Sequence, residues 1–221
     1  YKTLDLSGQD IRGSVLGGQY LRGAILRDAI LIEMELTRAQ LQNAILTRAK
    51  LSSANLFEAN LSGANFYQAD LIEANLADAS LAEASLWGAD FRGADLQGAD
   101  LRNAKLWRAN FDQANLRGAN FVGADLELAN FTDAQLIGVD LQGKNLTGVN
   151  FSRANLREAN LANAKLSLAA LRGANLYGAN LQNVDLSSKD LTSVNLSRAY
   201  LAGAQLKGAN LSKANLSHTD L

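Results

Sequence analysis

The stretch Ala-Asn-Leu-Ser-Gly at residues 59 to 63, followed without a break by Ala-Asn-Phe-Tyr-Gln at 64 to 68 and Ala-Asp-Leu-Ile-Glu at 69 to 73, decides the fold. Each block of five repeats the same order: a small apolar residue, Asn or Asp, a large apolar residue, then two variable residues. Working outward, the large central residue recurs every fifth position from Tyr1 to Leu221 with no break in register, as Leu everywhere except Tyr1, Ile11 and six Phe. The small residue two places earlier is Ala without exception from Ala54 to Ala134. A helix needs apolar residues at spacings of three and four, and a plain strand needs alternation. A period of five fits a chain that runs extended for about three residues, with Ala and the central residue facing one way, and then turns a corner.

Glycine places the corner. Of 18 Gly, all but Gly17 occupy the second position after the central residue, where a type II turn requires positive φ. Asp28, Asn43, Asn103 and Asn163 at the same position tolerate that conformation, whereas Arg108 and Leu168 predict another turn type at some corners. Phe91, Phe111, Phe131 and Phe151 are spaced by 20, as are Tyr67, Trp87 and Trp107, so four repeats make one coil. Coils stacked at strand spacing, about 4.8 Å, give about eleven coils and a rod of roughly 50 Å. The absence of Pro follows, because each would remove a donor from the ladder between coils.

The blocks at 59 to 63 and 94 to 98 (Ala-Asp-Leu-Gln-Gly) make the chain resemble the pentapeptide-repeat family over its whole length. The resemblance implies an all-β fold, a right-handed quadrilateral β-helix, in a single domain spanning residues 1–221. It also implies a non-catalytic protein-interaction or scaffold module similar to cyanobacterial members, some of which are fused to other domains. A smaller group of relatives inhibits or protects DNA gyrase by imitating duplex DNA, and the resemblance keeps such topoisomerase binding as the alternative. Those relatives are strongly acidic dimers, and here the charge is balanced.

With 48% hydrophobic residues the chain can build a core, and its 21 basic and 22 acidic residues are interspersed with no block of one sign. Clustered Lys and Arg for general nucleic-acid binding are missing, and so is a DNA-like acidic surface. No apolar run approaches the roughly 20 residues of a membrane span. Without Cys there is no disulfide framework or thiolate metal site, and compartment is left open with the cytoplasm slightly favoured. The pattern stops inside its own register at both ends, which carries the expectation of a segment cut from a longer protein.

Three surfaces stand out as partner-binding candidates or oddities. Tyr67, Trp87 and Trp107 form an outward aromatic column in consecutive coils, a contact strip or a self-stacking pile. Near the amino end Val15, Ile25, Ile30 and Ile45 replace the usual Asn or Asp, with Ile32 nearby, while Gln9, Ser14, Gln19 and Met34 replace the inner Ala. These first coils suit packing by a preceding segment or an oligomer contact, since terminal repeats are commonly atypical. Lys144 and Lys189 occupy the inner Ala position in matching contexts 45 residues apart, Val139-Asp-Leu-Gln-Gly-Lys-Asn-Leu-Thr-Gly-Val149 and Val184-Asp-Leu-Ser-Ser-Lys-Asp-Leu-Thr-Ser-Val194. They predict a local outward swing of the backbone with flanking Val filling the gap, or alternatively a ligand-binding lysine.

Nothing convergent for catalysis exists: His218 is the sole His, and no cofactor is expected. Asp70, Asp90 and Glu73 could hold a cation only weakly, with Lys50 a coil earlier offsetting their repulsion. The glycines are turn glycines and form no phosphate loop. Asn55, Asn75, Asp95, Asn115, Gln135, Asn155, Asn175, Asn195 and Asn215 read as an amide ladder joining coils.

Overall fold

The computed structural model describes residues 3–220; the central positions read at Tyr1 and Leu221 lie outside them. The chain winds as a four-sided solenoid. Parallel bridges join all but four of the Asn/Asp positions to the one 20 residues later among the described residues, as in Asn55 to Asn75 to Asp95 to Asn115, so four repeats close one coil. Each bridge is isolated, and no helix or continuous strand forms among the described residues, because a corner follows every extended stretch.

The backbone donors of one repeat account for the repeat sequence. Phe66 N–H donates to the Ser85 carbonyl in the next coil at 2.7 Å, and Asn65 N–H donates to the Ala44 carbonyl in the preceding coil at 2.9 Å. Gln68 N–H reaches the Trp87 carbonyl at 3.0 Å, and Ala69 N–H closes the corner onto the Phe66 carbonyl at 2.9 Å. The fifth donor, Tyr67 N–H, has no carbonyl in reach, and the Asn65 side-chain oxygen accepts it at 3.0 Å. An Asn or Asp two residues before the corner amide is thus the acceptor that completes the set, as in other Asx turns. The same side chains also bond coil to coil: Asn75 Nδ2 donates to Asn55 Oδ1 at 3.1 Å, and Asn195 Nδ2 to Asn175 Oδ1 at 3.1 Å, as the amide ladder predicts.

Every corner from Gly8 to His218 has positive φ at its second position, Gly or not. Arg108 and Leu168, expected to mark a different turn, both sit at φ 57°. The first corner residues never have positive φ, so the turns are of one kind, type II. The reason is collective. At Arg108 the left-handed residue donates its own N–H to the Glu127 carbonyl at 3.2 Å, and beside Leu168 the Ser167 carbonyl accepts from Gly148 N–H at 2.8 Å, so the stack holds a backbone that an isolated Arg or Leu would avoid, at about 1 kcal/mol or more each.

Inside, the central Leu and Phe and the inner Ala are almost all fully buried through the middle of the rod. Phe91, Phe111, Phe131 and Phe151 stack face to face with centroids 4.9, 5.0 and 5.5 Å apart, and Phe121 meets Phe131 edge-on at 6.2 Å. Toward the amino end Leu6, Ile11 and Leu16 are only half-buried, while Met34 fills an inner Ala position completely.

Candidate functional site

One edge of the solenoid carries a line of exposed apolar side chains. Trp87 and Trp107 lie in consecutive coils with ring centroids 6.0 Å apart and planes tilted by 58°, and Tyr67 precedes them by one coil. Tyr67 and Trp87 stay 41% and 42% exposed. The Arg108 guanidinium covers the Trp107 ring at 4.5 Å, which gives the outer end of the column a cationic lip. Two residues that the sequence did not mark as part of it prolong this edge: Leu128 and Leu168, at the second corner position of the same column, are exposed. Leu128 folds over Gly148 in the next coil, where any Cβ would collide with its methyl group. Extending the spacing of 20 from the aromatic column to its neighbouring position would have found them.

The amino-terminal candidates are placed differently. Ile25, Ile30, Ile32 and Ile45 are half-buried, with Ile25 bridged to Ile45. The exposed large apolar residues there are Leu4, Val15 and Tyr20, the last 90% exposed.

Charged side chains pair locally. Arg92 binds Asp90 and Arg102 binds Asp100 within a repeat, while Arg48 binds Asp28 and Arg153 binds Asp133 across a coil, each at 2.7 Å. The Arg12 guanidinium, bonded to the Asp10 carboxylate, holds that group down at about 2. Asp90 is engaged by Arg92 and Asp70 accepts from Ser52 Oγ at 2.8 Å, so neither is free for a cation. Among the described residues no three His, Cys, Asp or Glu side chains gather as a metal site.

Lys144 and Lys189 interrupt this regularity. Bridges run from one end of the rod to the other except at four pairs: Asn120 with Asp140, Asp125 with Asn145, Lys165 with Asp185, and Ala170 with Asp190. Asp140 and Asn145 flank Lys144, and Asp185 and Asp190 flank Lys189. At each lysine the coil has therefore swung away from the one before it, and Val139, Val149, Val184 and Val194 are buried alongside. The cause is steric and electrostatic, since an inner position sized for Ala cannot hold an ammonium in an apolar core. Both lysines end up half-buried, and burial lowers both amines from the ordinary lysine value. Lys189 Nζ donates to the Ala169 carbonyl across the gap at 3.3 Å.

The two openings differ in width. One side chain spans the first: Asn145 Nδ2 donates to the Glu127 carboxylate across the gap, while Asn120 and Asp125 keep the usual caps on the Val122 and Glu127 amides of their own repeats. At the second, Lys165 and Ala170 stand where Asn or Asp would be, and a cleft of about 940 Å³ results. Leu168, 85% exposed, forms its lip, and Lys189, Arg172 and Asp190 are among its walls.

Models of known families match the chain as pentapeptide repeats over residues 35–187, in overlapping segments, and again over 190–221. Among solved structures it is similar to HetL, a pentapeptide repeat protein involved in heterocyst differentiation regulation from the cyanobacterium Nostoc sp. strain PCC 7120. The two share 34% identity over 96% of this chain and 89% of that one, with a TM-score of 0.52. QnrB1, a plasmid-mediated fluoroquinolone resistance protein, is similar in fold at 23% identity, covering 92% of this chain and 90% of that one with a TM-score of 0.55. Comparison with curated protein sequences gives no significant match. No helix among the described residues is long and apolar enough to cross a membrane.

Proposed function

Since the chain belongs to the pentapeptide-repeat family, we propose that it is a non-catalytic protein-interaction module whose partner docks on the aromatic edge at Tyr67, Trp87 and Trp107. The observation that carries this reading is the exposure of Tyr67 and Trp87 on a rigid wall, with Trp107 half-buried under Arg108 beside them and Leu128 beyond. Exposed rings aligned at coil spacing offer large contact area at little entropic cost, the character of interface hot spots. The right-handed sense and a length of about eleven coils belong to the same reading, supported by the 20-residue register and the likeness in fold.

Mimicry of DNA toward a topoisomerase is the competing reading, and the local ion pairs weigh against it. Arg92, Arg102 and Arg153 each neutralise a carboxylate that an acidic column would need. The test is affinity capture with intact protein beside a Trp87→Ser/Trp107→Ser variant and a control carrying Arg12→Ser and Arg22→Ser. Loss of a captured protein in the first variant but not the control supports the edge as the docking surface. Unchanged capture by the double Trp variant overturns it, and inhibition or protection in a gyrase supercoiling assay would establish the competitor instead.

A further inference from the structure

We propose that the cleft opened by Lys189 is a second binding site, independent of the aromatic edge, which takes an extended peptide segment carrying a carboxylate between two coils.

The cleft's two walls are unpaired edges of one ladder. On the near wall Leu166, Leu168 and Leu171 have no acceptor among the described residues, although the equivalent amides in other coils, such as Leu146 and Gly148, bond to the following coil at 2.8 Å. The register would give them the carbonyls of Asp185, Ser187 and Asp190 on the far wall. Those carbonyls receive no donor, and the amides of Asp185 and Asp190 have no acceptor either. Donors and acceptors therefore face each other across the cleft in strand order, without touching. A chain extended along each face and turning with the wall at the Leu166–Ala169 corner offers what both edges lack, as in other cases of strand addition. A volume of about 940 Å³ lies within the range of sites that enclose a ligand.

The corner amides add a preference for negative charge. Ser167 and Arg172 follow Lys165 and Ala170, neither of which can accept as Asn or Asp does elsewhere, so these two N–H groups also lack a protein acceptor. Five backbone donors thus line one wall, and the cations Lys165, Arg172 and Lys189 stand around them. The carboxylates in the cleft are already occupied: Asp185 accepts from Ser187 N–H at 2.8 Å, and Asp190 from Thr192 N–H at 3.0 Å. Lys189 spends one donor on Ala169 and keeps the others for a ligand. Ala164 and Ala169, at the back, are 5% and 7% exposed, so the cleft reaches the core wall.

The Lys144 opening supplies an internal control, being spanned by Asn145 onto Glu127 and keeping its corner amides capped by Asn120 and Asp125. The probe is a fluorescein-labelled Thr-Val-Glu-Val-Thr peptide, titrated by anisotropy against the full chain. Three companions accompany it: the peptide with Gln for Glu, the same sequence N-methylated at alternate residues, and the Lys144→Ala protein. Saturable binding is expected, weakened several-fold by Gln, abolished by N-methylation and unaffected by Lys144→Ala. Lys189→Ala restores the common inner residue and closes the ladder, so it should weaken binding at least tenfold. Lys189→Met, which holds the coils apart without the charge, should lose only the Glu preference. In hydrogen exchange the amides of Leu166, Leu168 and Leu171 should exchange freely in the unbound protein and become protected by the peptide. No saturation up to about 1 mM, which is as weak as a specific site is worth naming, overturns the proposal. So does equal binding to Lys189→Ala, or protection of those amides before peptide is added.

Discussion

Replacing Lys144 by Ala should make the protein more stable, although it deletes a charged side chain and fills nothing. Six backbone bonds are missing around Lys144, and the four at its two lost bridges can be named from the register: Phe121 and Leu126 N–H to the Asp140 and Asn145 carbonyls, and Asp140 and Asn145 N–H to the Ala119 and Ala124 carbonyls. Ala is the residue that leaves this ladder closed elsewhere, so Lys144→Ala should let all four form. At about 1 kcal/mol net for each, after exchange with water, the local gain is roughly 4 kcal/mol. The solenoid need not unfold in one step, so a single melting temperature is a poor reporter. Hydrogen exchange resolved by residue reads the effect directly: a gain of that size slows exchange at Phe121, Leu126, Asp140 and Asn145 by about three orders of magnitude. Lys144→Met separates the causes, since it removes the charge but retains the length of the chain, and should leave these amides open. If Lys144→Ala leaves the four amides as exposed as before, the lysine is not what parts the coils. The swing would then belong to Val139 and Val149.

Stability should also depend on alkaline pH. Burial lowers the amines of Lys144 and Lys189, so between their native values and the ordinary 10.5 the unfolded chain holds protons that the folded chain has released. Native stability therefore rises through that window, and at neutral pH both charges weigh against the fold. The deficit of wild type against a Lys144→Ala/Lys189→Ala variant in urea unfolding should shrink as pH climbs, and a constant difference would contradict the assignment. Leu168→Gly should stabilise by about 0.5–1 kcal/mol by relieving a left-handed Leu whose side chain is 85% exposed, and a loss of stability would mean that the Leu makes contacts of value. Phe111→Ala should destabilise by about 3–5 kcal/mol, since its ring is sandwiched at 4.9 and 5.0 Å, whereas Phe111→Leu restores the usual central residue and should cost much less. Equal losses for the two would show that the stacked rings, rather than the filled volume, dominate.

The central period and the spacing of Phe and Trp by 20 carried the architecture, because a residue that must fit the same slot in each coil repeats at the coil length. Two features were less legible. Arg108 and Leu168 misled because turn propensity is a local quantity, while φ at these corners is imposed by bonds to neighbouring coils. The second role of Asn and Asp, capping the corner amide of their own repeat, could have been inferred from a preference for short acceptors over Glu and Gln. That inference would also have singled out Lys165 and Ala170, and with them the difference between the two openings. The lysines themselves were conspicuous as charges in an Ala column, and the parting of the ladder follows from that misfit. The apolar continuation at Leu128 and Leu168 was hidden because it shifts from the first to the second corner position.

Because four repeats close each coil, the solenoid is also an angular dial. The two lysine-centred blocks lie 45 residues apart, two and a quarter coils, so the copy has been carried along the rod and rotated by a quarter turn onto the neighbouring side. A duplication of 20 residues would have preserved azimuth and added only length. By the same geometry, insertion or deletion of a single five-residue unit leaves every inner slot correctly filled while turning all later surfaces to a new compass direction. The relative bearing of the aromatic edge and the Lys189 cleft is therefore set by the number of repeats between them, and could be reset in right-angle steps without altering a residue of either.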